Sequence, residues 1–226
     1  MAANNGAAAR RNGKQASVLL TARDVSALKW IAEQFAVRVD QLPKVLADGD
    51  AEVSRRTCRG VLERWTSADF VIRQKVFAGE PAWVWLTRHG SNACGGSFKL
   101  WVPKFGNLSH VFWVNEIRLR TALKHPEVLW VSERSIRKEQ ARGLHVPDAE
   151  LVPPDGGRVA VEVELTQKSA ARTLAIAREL ASRYSTIWFF TADPVDRTVA
   201  RAISELSTPD QEKFLIYPIE AVEAVR

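Results

Sequence analysis

The chain has 226 residues, of which 46% are hydrophobic and eight are tryptophan, enough apolar material for one large domain or two small ones. Its two cysteines, Cys58 and Cys94, have neither CxxC nor Cys/His spacing, so the sequence predicts no disulfide framework and no zinc finger. The longest apolar runs are too short to span a bilayer, and the N-terminus lacks the apolar segment of a signal peptide. We therefore expect a cytoplasmic protein without a membrane partner.

The formal net charge of +6 is unevenly distributed. Residues 1–100 contain 15 Lys and Arg against 9 Asp and Glu, whereas residues 101–226 contain 17 of each class. A basic excess confined to one half favours contact between that half and a polyanion.

The first hundred residues follow the order of three helices and a hairpin. Residues 1–17 have no periodicity and predict a disordered tail. Thr21-Ala22-Arg23-Asp24 has the pattern of a capping box and predicts the start of a first helix, whose apolar stripe ends at Phe35. A second helix is expected from near Asp40 to Asp48-Gly49-Asp50, with Pro43 tolerated in its first turn.

The third helix is predicted over residues 51–65. Four residues at helical spacing form its buried stripe: Cys58, Val61, Leu62 and Trp65. Its N-terminal half carries polar and basic residues that point away from this stripe: Ser54, Arg55, Arg56 and Arg59. They form either a solvated charged surface or the part of a recognition helix that reaches base edges in the major groove.

Two β-rich runs follow, at residues 70–77 and 82–86, joined by the turn sequence Ala78-Gly79-Glu80-Pro81. The first run contributes two further basic residues, Arg73 and Lys75. Three helices followed by a hairpin predict a winged helix-turn-helix over residues 18–90, with double-stranded DNA as its partner. A Gly-rich stretch then predicts a linker over 91–108 and a second domain over 109–226.

The second half mixes helices and strands, so the chain as a whole is expected to be α+β and α/β. The expected order is αβββαβαβ, with these elements in turn: helix 109–124, strands 128–132, 145–152 and 158–166, helix 169–184, strand 186–190, helix 196–206 and strand 214–217.

Three carboxylates stand out within this order. Glu162 and Glu164 are two residues apart in one strand and therefore share a face, and the preceding strand carries Asp148. If the register brings Asp148 opposite them, three acids converge and repel one another unless a proton or a divalent cation relieves the repulsion. Mg²⁺ is the expected cation if the site is catalytic, with Lys168 stabilising the developing charge.

This arrangement resembles the PD-(D/E)XK nuclease fold. The resemblance rests on Pro147-Asp148, then Glu162-x-Glu164, then a helix. It implies a metal-dependent phosphodiesterase site with Asp148, Glu162 and Glu164 as metal ligands. Glu164 occupies the position of the motif's lysine, so Lys168 is the candidate substitute. Glu116, on the helix before the sheet, lies where members of the fold often have an additional acid.

Taken over residues 20–190, the chain resembles the replication-relaxation family of plasmids, integrated elements and phages. The resemblance is carried by short segments in chain order: Leu86-Thr87-Arg88-His89-Gly90, Leu108-Ser109-His110, Val114-Asn115-Glu116, His145-Val146-Pro147-Asp148 and Val161-Glu162-Val163-Glu164-Leu165-Thr166. It implies a role in plasmid replication and DNA relaxation, in which replication or mobilisation proteins are further candidate partners.

Several alternatives remain open on the sequence. Glu162 and Glu164 are also typical of the solvent face of a half-exposed strand, and His110 and His145 are interpreted as hydrogen-bonded structural residues. Three functions fit: an accessory DNA-binding factor whose second half mediates dimerisation or partner contact, a Mg²⁺-dependent endonuclease or nickase, and a transcriptional repressor acting as a homodimer.

Overall fold

The structure is a computed structural model that describes residues 19–47, 52–140 and 143–220. It is a mixed α+β arrangement with two sheets. The predicted tail at 1–17 and the predicted end of the second helix at Asp48-Gly49-Asp50 lie outside the described residues. Within them, no helix is both long and apolar enough to cross a membrane.

The described residues of the N-terminal half form four helices and three short strands. In chain order they are α1 (Ala22–Glu33), β1 (Val37–Arg38), α2 (Leu42–Ala47), α3 (Arg55–Ser67), β2 (Val71–Gln74), β3 (Trp83–Leu86) and α4 (Arg88–Ala93). The strands form an antiparallel sheet in the order β1-β3-β2. Strand β1 was not predicted, because two residues are too few to show an alternating pattern.

The predicted capping box at the start of α1 is confirmed. The Asp24 amide donates to Thr21 Oγ1 at 3.1 Å, and the Thr21 amide donates to Asp24 Oδ2 at 2.8 Å. The helix ends at Glu33, so Phe35, predicted as part of its stripe, lies beyond it with a φ of 69°.

The core of this half lies between α1, α2, α3 and the sheet. The whole predicted stripe of α3 is buried: Cys58, Val61, Leu62 and Trp65. Helix α3 begins at Arg55 rather than at residue 51, because Ser54 caps it by accepting a hydrogen bond from the Thr57 amide.

The C-terminal half contains the larger sheet. Its elements are α5 (Leu108–Lys124), β4 (Leu129–Ser132), α6 (Glu133–Glu139), β5 (Ala149–Val152), β6 (Val159–Glu164), α7 (Ala170–Arg183), β7 (Thr186–Thr191), α8 (Val195–Ser204), α9 (Thr208–Gln211) and β8 (Phe214–Pro218). The expected helices and strands are all present, and the short helices α6 and α9 are additional. Strand order is β4-β5-β6-β7-β8; β4, β5 and β6 are antiparallel neighbours, and β6, β7 and β8 are parallel.

The two faces of this sheet are covered by different helices. Val161 and Val163 of β6 pack in a cluster with Val114 and Ile117 of α5. Ala160 of β6 belongs to the opposite cluster, with residues of α7 and α8. Because side chains alternate along a strand, Glu162 and Glu164 lie on the α7 side.

Strand β5 is shorter than predicted, and the prediction that Pro147-Asp148 lies within it is wrong. The strand begins at Ala149. Proline has no amide hydrogen for a ladder, and Asp148 uses its side chain instead: its Oδ2 accepts from the Val163 amide at 2.8 Å.

Helix α5 joins the two halves. Gln41 donates to Glu116 Oε1 at 2.8 Å and to the Phe112 carbonyl at 3.1 Å, and Asn115 donates to the Ala36 carbonyl at 3.0 Å. The region predicted as a linker, 91–108, contains the end of α4 and a short 3-10 helix at Phe105–Asn107. Phe98 in this region packs against the N-terminal core.

Candidate nucleic-acid interface and acidic cluster

The start of α3 presents the predicted basic residues to solvent. Arg55, Arg56 and Arg59 are exposed, as are Arg73 on β2 and Lys75 just after it. Ser54 is also exposed, but its hydroxyl is already bonded to the Thr57 amide at 3.1 Å and to Thr57 Oγ1 at 2.9 Å. The structure therefore gives Ser54 the role of a helix cap.

A groove of about 400 Å³ lies beside α3. Arg55, Arg59 and Arg73 line it, so β2 brings a third arginine to the same opening as the two from the helix. Two acids, Asp40 and Glu52, also line this groove. Arg38 binds Asp40 with Nη2 to Oδ2 at 2.7 Å, which leaves the arginines of the groove in excess.

The exposed basic residues of α3 and β2 differ from Arg38 and Arg64, which are ion-paired with Asp40 and Asp24. Within the described part of the chain, none of Arg55, Arg56, Arg59, Arg73 and Lys75 forms an ion pair. Their charge is consequently available to an external anion. We name these five residues the α3 basic surface.

Asp148 lies close enough to Glu162 for its charge to act on that carboxyl, and each of the three acids predicted in the second half has a basic partner. Asp148 Oδ1 lies 3.0 Å from His110 Nε2 of α5. Glu162 Oε1 lies 2.7 Å from His145 Nε2, and Glu164 is ion-paired with Lys168. We name these six residues the acid–base cluster.

The register explains the convergence of Asp148 and Glu162. Ala149 of β5 is opposite Val161 of β6, and because the strands are antiparallel, Asp148, which precedes Ala149, lies beside Glu162, which follows Val161. Glu162 and Glu164 share a face, as predicted, but the alternative of a solvent-facing strand is wrong because these residues are only 4% and 7% exposed.

Burial and neighbouring charges change the ionisation of this cluster. Burial, opposed by the His145 hydrogen bond and reinforced by the charge of Asp148, raises the pKa of Glu162 to about 7. Burial alone would lower the pKa of His110, but the charge and hydrogen bond of Asp148 outweigh it and raise that pKa to about 9. The pKa of His145 is also raised, since Glu162 outweighs the effect of burial.

Glu116, predicted as an additional acid of the site, lies elsewhere. It is buried at the junction of the two halves, where it accepts from Gln41 and lies 3.9 Å from Lys44 and 3.7 Å from Arg120. Its contacts are those of a structural residue that joins α5 to α2.

Glu150 of β5 is a third buried acid of this sheet, beside Glu162 and Glu164, and it was not predicted. Its Oε1 accepts from Tyr184 Oη at 2.5 Å, and its Oε2 accepts from Arg158 at 2.8 Å. No signal in the sequence marks it, because a single acid in an apolar strand has no distinguishing pattern. His110 and His145 are hydrogen-bonded, as predicted, but their partners are the predicted site acids.

The cluster as arranged does not fit a divalent cation. Within the described residues, no three His, Cys, Asp or Glu side chains are arranged to hold a metal. Each of the three carboxylates already binds a basic side chain, and Lys168 binds the carboxylate that a metal would need from Glu164. Binding of Mg²⁺ would require these pairs to open.

The chain was compared with protein-family models, curated proteins and solved structures. None of the three comparisons gives a match.

Proposed function

We propose that this protein binds duplex DNA through the α3 basic surface and acts as an accessory or regulatory DNA-binding factor rather than as an enzyme. The observation that carries the proposal is the groove lined by Arg55, Arg59 and Arg73, whose charges have no acidic partner among the described residues. Arginine suits both guanine edges and phosphates, and unpaired cations at a helix start are available to both.

The order of elements supports the same function. The elements of the N-terminal half follow one another as in a winged helix, in which the third helix enters the major groove. Their order is α1, β1, α2, α3 and then the β2–β3 hairpin. In this proposal the hairpin is the wing, and Arg73 and Lys75 contact the backbone beside the helix. The resemblance to the replication-relaxation family leads us to propose a site on a mobile element as the target.

The proposal is tested by selecting bound sequences from a pool of random duplexes and measuring affinity for the selected site by fluorescence anisotropy at several salt concentrations. We expect Arg59→Ala to weaken binding and to reduce the salt dependence by about one phosphate contact. Arg201→Ala, at an exposed arginine of α8, is the matched control. Equal losses in both variants would remove α3 from the interface.

Metal-dependent cleavage is the second candidate. It is favoured by the adjacent carboxylates of Asp148 and Glu162 and by an order of helix and strands that matches the PD-(D/E)XK resemblance. Purified protein is incubated with supercoiled plasmid that carries the selected site, across concentrations of Mg²⁺ and Mn²⁺. Nicking that is abolished by Asp148→Asn would establish metal-dependent cleavage, and intact plasmid under all conditions would eliminate this function.

Measurement of the solution mass of the same preparation tests for the homodimer that is expected of a repressor.

A further inference from the structure

The groove beside α3 has a basic rim and an apolar floor. Arg55 and Arg59 are one helical turn apart, and both line this cavity of about 400 Å³. Cys58 and Leu62 are also one turn apart and line the same cavity, but they are only 4% and 2% exposed. The helix therefore contributes two exposed cations and, beneath them, two buried apolar side chains.

The rest of the lining comes from other segments of the N-terminal half. Strand β2 contributes Arg73, which adds a third cation from a different element. The turn after β2 contributes Pro81, and Val39 and Pro43 come from the end of β1 and from α2. Val39 and the two prolines extend the apolar part of the cavity. Burial raises the pKa of the Cys58 thiol against the opposing charge of Arg73, so the floor is uncharged at neutral pH.

The acids of the lining do not cancel its cations. Asp40 is bound by Arg38, whose Nε and Nη2 each donate to one carboxylate oxygen at 2.7 Å. Among the described lining residues, Glu52 is then left to oppose the three arginines, and it is exposed to solvent. The cavity therefore has a net positive charge at its rim.

Duplex DNA can use this rim but not the floor. A backbone phosphate is strongly hydrated and gains nothing from contact with buried apolar side chains such as Leu62. A ligand that suits both parts has an apolar body for the floor and an anionic group for the arginines. The volume lies within the range of small-molecule sites, roughly 300–1,000 Å³.

We propose that this groove binds a small organic anion whose carboxylate is held by Arg55, Arg59 and Arg73. Its apolar body packs on Cys58 and Leu62. Arginine is suited to this role because its planar guanidinium matches a carboxylate. While the ligand is bound, its carboxylate occupies the arginines that contact DNA, so the ligand is a negative effector of DNA binding. Only this regulatory part rests on the proposed DNA-binding function.

The test is isothermal titration calorimetry of the full chain with 2-naphthoate as the probe and two reference compounds. 2-Naphthalenemethanol has the apolar body without the charge, and acetate has the charge without the apolar body. We expect saturable binding of 2-naphthoate and at least about tenfold weaker binding of both reference compounds, because each lacks one of the two sets of contacts. Equally tight binding of either reference compound, or no binding of 2-naphthoate, would overturn the proposal.

Variants locate the probe in the groove. Arg59→Ala and Arg73→Ala should each weaken 2-naphthoate binding about tenfold, as for the loss of one charge-assisted hydrogen bond. The matched control is Arg23→Ala, at an exposed arginine of α1 that is not among the described residues of the lining, and it should bind as the wild type does. Unchanged affinity in the two groove variants, or an equal loss in the control, would contradict the assignment.

Competition with DNA separates this proposal from the proposed function. Fluorescence anisotropy measures the affinity for the selected duplex as 2-naphthoate is added. At a probe concentration about ten times its own Kd, we expect the apparent Kd for the duplex to rise about tenfold. A duplex affinity that does not change would overturn the regulatory role. If no duplex binds even without the probe, the proposed function fails, and calorimetry still decides whether the groove binds the anion.

Discussion

The two basic regions of this protein differ in whether their basic side chains form ion pairs with acids. On the α3 basic surface, Arg55, Arg59 and Arg73 have no acidic partner among the described residues. In the acid–base cluster, His110, His145 and Lys168 each bind a carboxylate that is mostly buried. A count of charges in the sequence does not distinguish these cases. The comparison shows that regions of similar basic content can differ in how many of their charges have acidic partners within the protein.

The largest effect on DNA binding is expected when the unpaired arginines of the α3 basic surface are removed. For Arg55→Ala/Arg59→Ala/Arg73→Ala we expect the Kd for the selected duplex to rise about a thousandfold at low salt, since each contact contributes about 1–1.5 kcal/mol. The slope of log K against log salt should fall by about three. Fluorescence anisotropy over a salt series measures both.

The matched control is Arg178→Ala/Arg197→Ala/Arg201→Ala, three exposed arginines of α7 and α8. A similar loss in this variant would mean that general positive charge, rather than the α3 basic surface, drives binding.

The second largest effect concerns Arg64, an arginine of α3 that is ion-paired with a buried acid of the protein. Asp24 is fully buried, and its Oδ1 accepts from Arg64 at 2.6 Å and from Trp65 Nε1 at 3.0 Å. Asp24→Ala should lower the free energy of unfolding by about 3 kcal/mol, because it removes the carboxylate half of the α1 capping box and the buried partner of Arg64 and Trp65. Urea denaturation measures the change. Arg64→Ala should leave the salt slope of DNA binding unchanged, and a drop of one contact would contradict the internal role of Arg64.

The pH dependence of stability tests how much the burial of Glu162 destabilises the fold. The folded-state pKa of Glu162, about 7, lies above the ordinary value of 4.5, so between these values the folded state binds more protons than the unfolded state. Stability should therefore fall as pH rises from 4.5 through 7. Glu162→Gln should remove this fall and be more stable than the wild type at pH 8 by on the order of 2 kcal/mol. Urea denaturation at a series of pH values measures it, and parallel curves for the two proteins would contradict the raised pKa.

His110 gives the smallest effect, in a higher pH window. Its folded-state pKa of about 9 exceeds 6.5, so its contribution is fully present below pH 6.5 and is lost as pH rises through 9. Because the side chain is 37% exposed, solvent screening keeps the contribution below about 1 kcal/mol. His110→Gln should flatten this part of the stability profile. His125→Gln, at a surface histidine 3.6 Å from Glu127, should keep the wild-type profile, and the same flattening there would contradict the assignment.

Local patterns allowed much of the fold to be predicted. The capping box at Thr21, the buried stripe from Cys58 to Trp65 and the order of helices and strands in the second half all depend on residues within a few positions of one another. Capping and amphipathic periodicity act over that range, so the sequence contains the full signal.

The pairing of charges had no such local signal. His110 and Asp148 are 38 residues apart, His145 and Glu162 are 17 apart, and Gln41 and Glu116 are 75 apart. Glu116 was expected with the other acids because members of the PD-(D/E)XK fold often have an additional acid on the helix before the sheet. The structure separates them because the long helix α5 directs Glu116 towards α2.

The exposure of Arg55, Arg56 and Arg59 could be predicted from the sequence, because a helical stripe fixes which face of α3 is buried and which faces solvent. The state of Asp148, Glu162 and Glu164 could not. Strand alternation established that the two glutamates share a face, but whether that face met water, a metal or a base depended on the packing of α7 and the register of β5. Only tertiary structure decides such contacts, because the partners come from elements distant in the chain.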